Sequence, residues 1–183
     1  MRLYAINMFL CNVYIIYISI FAKTKKMKPA VYSQMYVQLV FAVKNSDALL
    51  HNGIRHRVFE YISGIISEMK HKAIIVNGVP DHIHIFIGMN PNKSASDTVF
   101  EIKRGSSLFI NKNKLCKGRF FWQEGYGSFT YSRSHISNVY NYILNQEKHH
   151  QKQTFRSEYI AFLEKFNIEF VEKYLFSFLN DIN

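Results

Sequence analysis

The stretch that decides the fold is GVPDHIHIFIGMNP, which spans Gly78–Pro91. Its centre, HIHIFIGM, combines β-branched and aromatic residues and is bounded by turn-forming Pro80-Asp81 and Pro91, so it predicts a strand from His82 to Met89. Side chains alternate between the two faces of a strand, which puts His82 and His84 on one face. The preceding segment, Lys72–Val79, predicts the partner strand of a hairpin.

The segments around this hairpin predict two more strands and several helices. The first strand covers Gln34–Lys44, and a helix capped within Asn45–Asp47 follows it to Met69. The later elements are a helix over Ser94–Lys112, with Asp97 in a capping-box-like pair, a strand within Phe120–Ser132, a helix from Ser134 or Ser137 to His150, and helices over Phe155–Phe166 and Ile168–Leu179.

This order predicts an α+β fold. An antiparallel sheet of ferredoxin-like or RRM-like type, with helices packed on one face and a C-terminal helical extension, satisfies it. The same layout also carries RNA-binding modules, so the fold class alone does not give the function.

The composition favours a globular protein with a polyanionic partner. The chain has 183 residues, 48% of them hydrophobic, which is enough for one sizeable core. Its 23 Lys and Arg against 13 Asp and Glu give a net charge of +10, which favours a polyanionic partner. A merely soluble basic protein and an anionic membrane surface are the alternatives. Cys11 and Cys116 form no disulfide framework or metal-ligand pattern, so a cytoplasmic location is expected.

The first segment departs from the rest of the chain. Met8–Ala22 is an apolar run followed by lysines, but it is shorter than the roughly 20 residues of a spanning helix. A signal anchor is one explanation, and a start codon placed too early is the preferred one. We therefore expect residues 1–26 to be a spurious or non-family extension, followed by a functional domain over 27–150 and a helical extension over 151–183.

The histidine pair suggests a metal site. Two imidazoles about 6.6 Å apart along one strand can converge on one ion, although two surface histidines would give the same pattern. The helix over Ser134–His150 offers a second candidate. Ile136, Val139, Tyr140 and Ile143 share its apolar face, whereas Tyr142 and Gln146 lie together on another flank and are expected to face outward.

A third feature is a basic and aromatic region between Lys103 and Trp122. Basic groups neutralise phosphates and aromatic rings stack on unpaired bases, although a solvated helix face beside core aromatics is the plainer interpretation. The residues concerned are Lys103, Arg104, Lys112, Lys114, Lys117, Arg119, Phe109, Phe120, Phe121 and Trp122.

These pieces, in this order, resemble the IS200/IS605-type single-tyrosine transposases, small metal-dependent enzymes of bacterial insertion sequences with a His-hydrophobe-His motif. The resemblance covers about Tyr32–His150. Its motifs are YVQLVFAVKN (Tyr36–Asn45), GVPDHIHIFIGMNP, IKRGSS (Ile102–Ser107), FWQEGY (Phe121–Tyr126) and YILNQ (Tyr142–Gln146). Gln38 stands where many relatives carry a histidine, and we attach no catalytic role to it.

The resemblance implies a mechanism and a set of site residues. His82 and His84 would bind a divalent metal, Mg²⁺ or Mn²⁺, with Gln146 as the third ligand and Tyr142 as the nucleophile. The implied reaction cuts and rejoins single-stranded DNA bearing end hairpins through a 5′-phosphotyrosine. Lys103 and Arg104 would contact phosphates. The resemblance also implies a homodimer whose active sites are shared between subunits, and it speaks against a membrane partner.

Other interpretations remain at the level of sequence. A non-catalytic RRM-like module explains the charge and the aromatics but leaves the histidine pair and Tyr142 unused. A membrane-anchored protein rests only on Met8–Ala22. A domesticated relative that no longer mobilises an element would keep the same motifs.

Overall fold

The structure is a computed structural model that describes residues 32–44 and 50–178. Four strands form one antiparallel sheet in the spatial order β2-β3-β1-β4. The strands are β1 (Tyr36–Ala42), β2 (Lys72–Gly78), β3 (His82–Gly88) and β4 (Gly127–Tyr131). With a helix between β1 and β2 and another between β3 and β4, this is the predicted ferredoxin-like α+β arrangement.

Five α-helices and two short 3₁₀ turns are described. The helices are α1 (Asn52–Glu68), α2 (Ala95–Lys112), α3 (Ile136–Leu144), α4 (Gln146–His149) and α5 (Phe155–Lys165), and the 3₁₀ turns are Arg133–His135 and Glu172–Tyr174. Ser94 caps α2 as predicted, because its hydroxyl oxygen accepts a hydrogen bond from the Asp97 backbone N–H at 3.0 Å. Thr154 caps α5 in the same way through the Ser157 N–H.

The two faces of the sheet are covered by different helices. Ile83, Ile85 and Ile87 of β3 belong to the main core, which α1 and α2 complete with side chains such as Val58 and Ile102. On the opposite face, α3 packs on Phe86, and the Phe162 ring of α5 stacks on Phe129 of β4 at 4.9 Å. The helices of the C-terminal part therefore cover the face that carries the histidines.

Two predicted elements are placed differently. The first helix begins at Asn52 with His51 at its N-cap, and Asn45–Asp47 lies outside the described residues. The helix expected over Ile168–Leu179 is wrong: within residues 168–178 there is only the 3₁₀ turn. Phe176 and Phe178 alternate with exposed Ser177 and pack on Phe155, so an extended segment buries them better than a helix would.

The hairpin between β2 and β3 is unusually tight at Gly78. This residue pairs with Ile83, and the next residue, Val79, donates its N–H to the His82 carbonyl at 3.1 Å. A Cβ on Gly78 would lie 2.3 Å from the His82 carbonyl oxygen and 2.7 Å from the Ile83 Cα. The two strands therefore approach each other here at a distance that leaves no room for a side chain.

None of the helices in residues 32–44 and 50–178 is both long enough and apolar enough to cross a bilayer. The apolar run Met8–Ala22, on which the membrane alternative rests, lies outside the described residues.

Candidate metal centre

His82 and His84 lie side by side on the sheet face that α3 and α5 cover. They pair with Ala42 and Val40 of β1, and both side chains are completely buried. Their ring centroids are 5.1 Å apart. The strand alternation expected from the sequence thus produces two adjacent imidazoles in an enclosed site.

Each imidazole is held through its Nδ1 atom. His82 Nδ1 lies 2.8 Å from the Asp81 carboxylate, and its ring stacks on Phe155 at 3.8 Å. His84 Nδ1 lies 2.9 Å from the Gln38 amide, whose oxygen accepts a hydrogen bond from the Tyr131 hydroxyl at 2.8 Å. Gln38, for which the motif predicts no catalytic role, therefore orients a histidine. Among the described residues, neither Nε2 atom has a hydrogen-bond partner.

Tyr142 and Gln146 face this site rather than solvent. Gln146 is completely buried, and the Tyr142 ring lies edge-on to His84 at 6.0 Å. The outward orientation expected for this pair is wrong, and so is the core position expected for Tyr140, which is 38% exposed. The reason is that one side of the α3–α4 segment packs on the sheet through Ile143 while the adjacent side meets α5. The apolar pattern of the sequence predicted only one buried face for this segment.

Two residues of the site were not anticipated. Glu158 of α5 lies between the histidines and the tyrosine, and His150 lies just after α4. The Glu158 Oε2 atom is 3.3, 3.4 and 3.2 Å from Nε2 of His82, His84 and His150, respectively. A signal for Glu158 did exist, since it falls on the apolar face of α5 between Phe155 and Phe162.

The carboxylate and the imidazoles of this group shift one another's pKa values. Burial alone would raise the pKa of Glu158, but His84, His150 and His82 outweigh it and hold that pKa well below its usual range. Burial lowers the pKa of His84 more than the Glu158 carboxylate raises it. For His82, the Asp81 and Glu158 carboxylates overcome burial and raise the pKa.

The donor set fits a divalent metal. Ligand atoms of His82, His84, His150 and Glu158 all lie within 4.8 Å of one another, so this group could hold an ion. Within the described part of the chain, three buried polar side-chain atoms have no hydrogen-bond partner, and they are His82 Nε2, His84 Nε2 and Gln146 Oε1. Buried polar atoms without partners are costly, and a cation bound by these atoms would offset that cost.

A cavity of about 390 Å³ lies beside Tyr142. Its lining includes Gln38, His135, Tyr142, His149 and Lys165. This volume is within the range of pockets that hold small ligands, about 300 to 1,000 Å³. The tyrosine therefore has open space beside it.

Lys103 and Arg104 lie away from the histidines, because α2 packs on the opposite face of the sheet. The Lys103 ammonium donates to the carbonyls of Gln123, at 2.8 Å, and Gly125. Burial lowers the pKa of Lys103 to about 8. Arg104 is exposed and pairs with Glu101 at 2.8 Å. Lys103 thus holds the loop after Trp122, whereas Arg104 presents its charge to solvent.

A family profile described as transposase IS200 like matches residues 31–146. The chain belongs to the IS200-like transposase family. The matched region contains the hairpin with His82 and His84 and ends at Gln146, so His150 and Glu158 lie beyond it.

Two solved structures share the fold. A candidate transposase from Deinococcus radiodurans has a TM-score of 0.51 and 23% identity, covering 67% of this chain and 98% of that one. A REP-associated tyrosine transposase bound to a REP hairpin has a TM-score of 0.50 and 14% identity, covering 68% and 74%, respectively. No curated protein matches the chain. At these identities the structural likeness supports the fold alone.

Proposed function

We propose that this IS200-like transposase serves an insertion sequence by cutting and rejoining single-stranded DNA, with Tyr142 as nucleophile and with a divalent metal. The observation that carries this proposal is the buried cluster in which the Tyr142 side chain adjoins three unpaired atoms, His82 Nε2, His84 Nε2 and Gln146 Oε1. A protein that only binds nucleic acid would leave these atoms and the Tyr142 hydroxyl without a role.

His82, His84 and Gln146 are the proposed metal ligands. Imidazole donors fit Mn²⁺ better than Mg²⁺, although both ions are compatible with the chemistry. When bound, the metal would act as a Lewis acid that stabilises negative charge on the oxygens of the scissile phosphate.

Tyr142 exchanges one phosphodiester for another. Its phenolic oxygen forms a bond to phosphorus while the bond from phosphorus to the 3′ oxygen breaks, which leaves a 5′-phosphotyrosine and a free 3′-OH. The phenol proton ends on that 3′ oxygen. Burial, together with the Glu158 carboxylate, raises the pKa of Tyr142, so the hydroxyl is protonated before the reaction. Attack by a second 3′-OH reverses the exchange and reseals the strand without ATP.

The proposed substrate is a single strand with end hairpins. The bases of duplex DNA are stacked and paired, so a strand inside a duplex is harder to bring into a buried site. One of the structural neighbours is described as bound to a hairpin, which supports this choice. Lys103 and Arg104 are the proposed phosphate contacts, and a reaction on bacterial DNA would take place in the cytoplasm.

We also propose the homodimer that the resemblance implies. In the structure, Tyr142 and His84 of the same chain are neighbours, so a shared active site would require the partner's helix to replace this one. Mixing His82→Ala/His84→Ala protein with Tyr142→Phe protein tests this. Recovered cleavage supports shared sites, and no recovery means that each chain uses its own tyrosine.

The decisive experiment is Tyr142→Phe on a denaturing gel with end-labelled hairpin substrate. Because the substitution removes one oxygen, folding and DNA binding should survive while cleavage and the covalent adduct disappear together. Tyr140→Phe, two residues away and half-exposed, is the matched control and should keep both. An adduct that persists in Tyr142→Phe would show that the nucleophile is another residue. Binding without any adduct in the wild type would favour a non-catalytic module.

A further inference from the structure

Glu158 is a buried carboxylate on an otherwise apolar helix face. Its neighbours on that face of α5 are Phe155, Tyr159, Phe162 and Leu163, and its own side chain is 2% exposed. Burying an isolated carboxylate is strongly unfavourable, so such a position is stable only where other groups compensate the charge. The contacts of its two oxygens supply these groups.

The two oxygens of Glu158 have separate partners. Oε2 faces the Nε2 atoms of His82, His84 and His150 at 3.2 to 3.4 Å. Oε1 accepts hydrogen bonds from the Tyr142 hydroxyl and from Gln146 Nε2, the latter at 3.0 Å. One carboxylate therefore connects the histidine cluster with the tyrosine.

The contacts with His82 and His84 have the spacing of atoms that share an ion. Although Oε2 is 3.3 and 3.4 Å away, the two Nε2 atoms make no hydrogen bond within the described residues. Ligand atoms that each lie about 2.1 Å from one ion are separated by about 3.0 to 3.4 Å at tetrahedral or octahedral angles. The distances from Oε2 to each of the two nitrogens lie within this range.

We propose that Glu158 is a further protein ligand of the divalent metal and that its second oxygen positions the Tyr142 hydroxyl beside it. The inference rests on the proposed function, since it assumes that a metal occupies this site. It assigns an active-site role to the chain beyond residue 146, where the family match ends. A carboxylate ligand also strengthens binding of hard ions such as Mg²⁺ and Mn²⁺, which imidazoles alone hold weakly.

The ligand role is tested by Mn²⁺ titration in a calorimeter with the full-length chain. Glu158→Gln keeps the shape of the side chain but removes its charge, and it should weaken Mn²⁺ binding by about tenfold or more. Glu164→Gln, on the exposed side of the same helix, should stay within about twofold of the wild type. His82→Ala/His84→Ala should lose binding.

The outcomes separate this inference from the proposed function. Wild-type affinity in Glu158→Gln, together with lost affinity in the histidine double variant, overturns the role of Glu158 alone. If the wild type binds no Mn²⁺, or the double variant binds as tightly as the wild type, the proposed metal site fails as well.

The positioning role is tested at saturating Mn²⁺, where weak metal affinity no longer limits the reaction. Glu158→Gln keeps an oxygen that can accept from Tyr142, whereas Glu158→Ala does not. We expect the covalent adduct to form about tenfold more slowly in Glu158→Ala than in Glu158→Gln. Equal rates would overturn this part of the inference.

A measurement on the wild-type protein does not depend on how the variants fold. Crystals grown with Mn²⁺ should give an anomalous peak in contact with His82 Nε2, His84 Nε2 and Glu158 Oε2. A peak that contacts the two histidines but not Glu158 would overturn the inference.

Discussion

The two faces of strand β3 are both buried, but one contributes to the hydrophobic core and the other to the candidate metal site. Ile83, Ile85 and Ile87 point towards α1 and α2 and form part of the main core, whereas His82, His84 and Phe86 point towards α3 and α5. The two faces differ in the polarity of the side chains that cover them. Apolar helix faces cover the isoleucines, while Gln38, Gln146 and Glu158 surround the histidines. Successive residues of this seven-residue strand therefore alternate between the hydrophobic core and the candidate site.

The largest expected effect comes from alanine substitutions at two neighbouring residues on opposite faces of β3, His84 and Ile85. His84→Ala should abolish Mn²⁺ binding and cleavage while hairpin binding mostly survives, and EDTA should reproduce the loss in the wild type. Ile85→Ala should lower the free energy of unfolding by about 2 to 5 kcal/mol, because it leaves a cavity in the core. Its folded fraction should still cleave. Urea unfolding and the gel assay measure the two effects. The comparison breaks if His84→Ala cleaves normally, or if folded Ile85→Ala does not.

A smaller effect is expected at Gln38, the neighbour of Leu39 on β1. Residues that orient a metal-binding histidine typically contribute about 10- to 100-fold to metal affinity, so Gln38→Leu should weaken Mn²⁺ binding by that order. Calorimetry at pH 7 measures it. Gln34→Leu, on the exposed stretch before β1, is the control. Unchanged affinity in Gln38→Leu would mean that the packing around His84 orients the ring without the amide.

A further comparison sets Arg104 against Lys103, on the helix that covers the other face. Arg104→Ala should reduce hairpin affinity several-fold and lower the slope of log affinity against log salt by about one, with no change in stability. Lys103→Ala should also lower the melting temperature, because its ammonium holds the loop at Gln123 and Gly125. Fluorescence anisotropy over a salt series measures binding. An unchanged salt slope in Arg104→Ala would remove this residue from the interface.

The smallest effect is expected for a chain that starts at Met27. The apolar run Met8–Ala22 has no matching pattern in the rest of the chain, so cleavage, hairpin binding and solubility should equal those of the full-length protein. Side-by-side purification and assay of both forms checks this. Loss of activity or solubility on removing residues 1–26 would show that the segment belongs to the enzyme.

The sequence predicted the sheet well because its strands carry strong local patterns. Strand alternation placed His82 and His84 on one face, and the element order gave the ferredoxin-like topology. The sequence did not predict the features that depend on how distant segments pack together. Tyr142 and Gln146 turn inward because α5 covers them, and no local pattern showed where α5 would lie. The sequence could have indicated Glu158 only as a charged residue on an otherwise apolar helix face, which a helical plot of Phe155–Leu163 reveals.

The tight approach at Gly78 has a consequence for the evolution of this site. Gly78 offers no functional group, yet a Cβ there would collide with backbone atoms of His82 and Ile83, which cannot move without shifting the strand. Any other residue would therefore displace the very segment that presents the imidazoles. A genetic screen for loss of transposition should recover substitutions at this glycine as readily as those at the histidines. These substitutions would act by steric exclusion, because glycine has no reactive side chain.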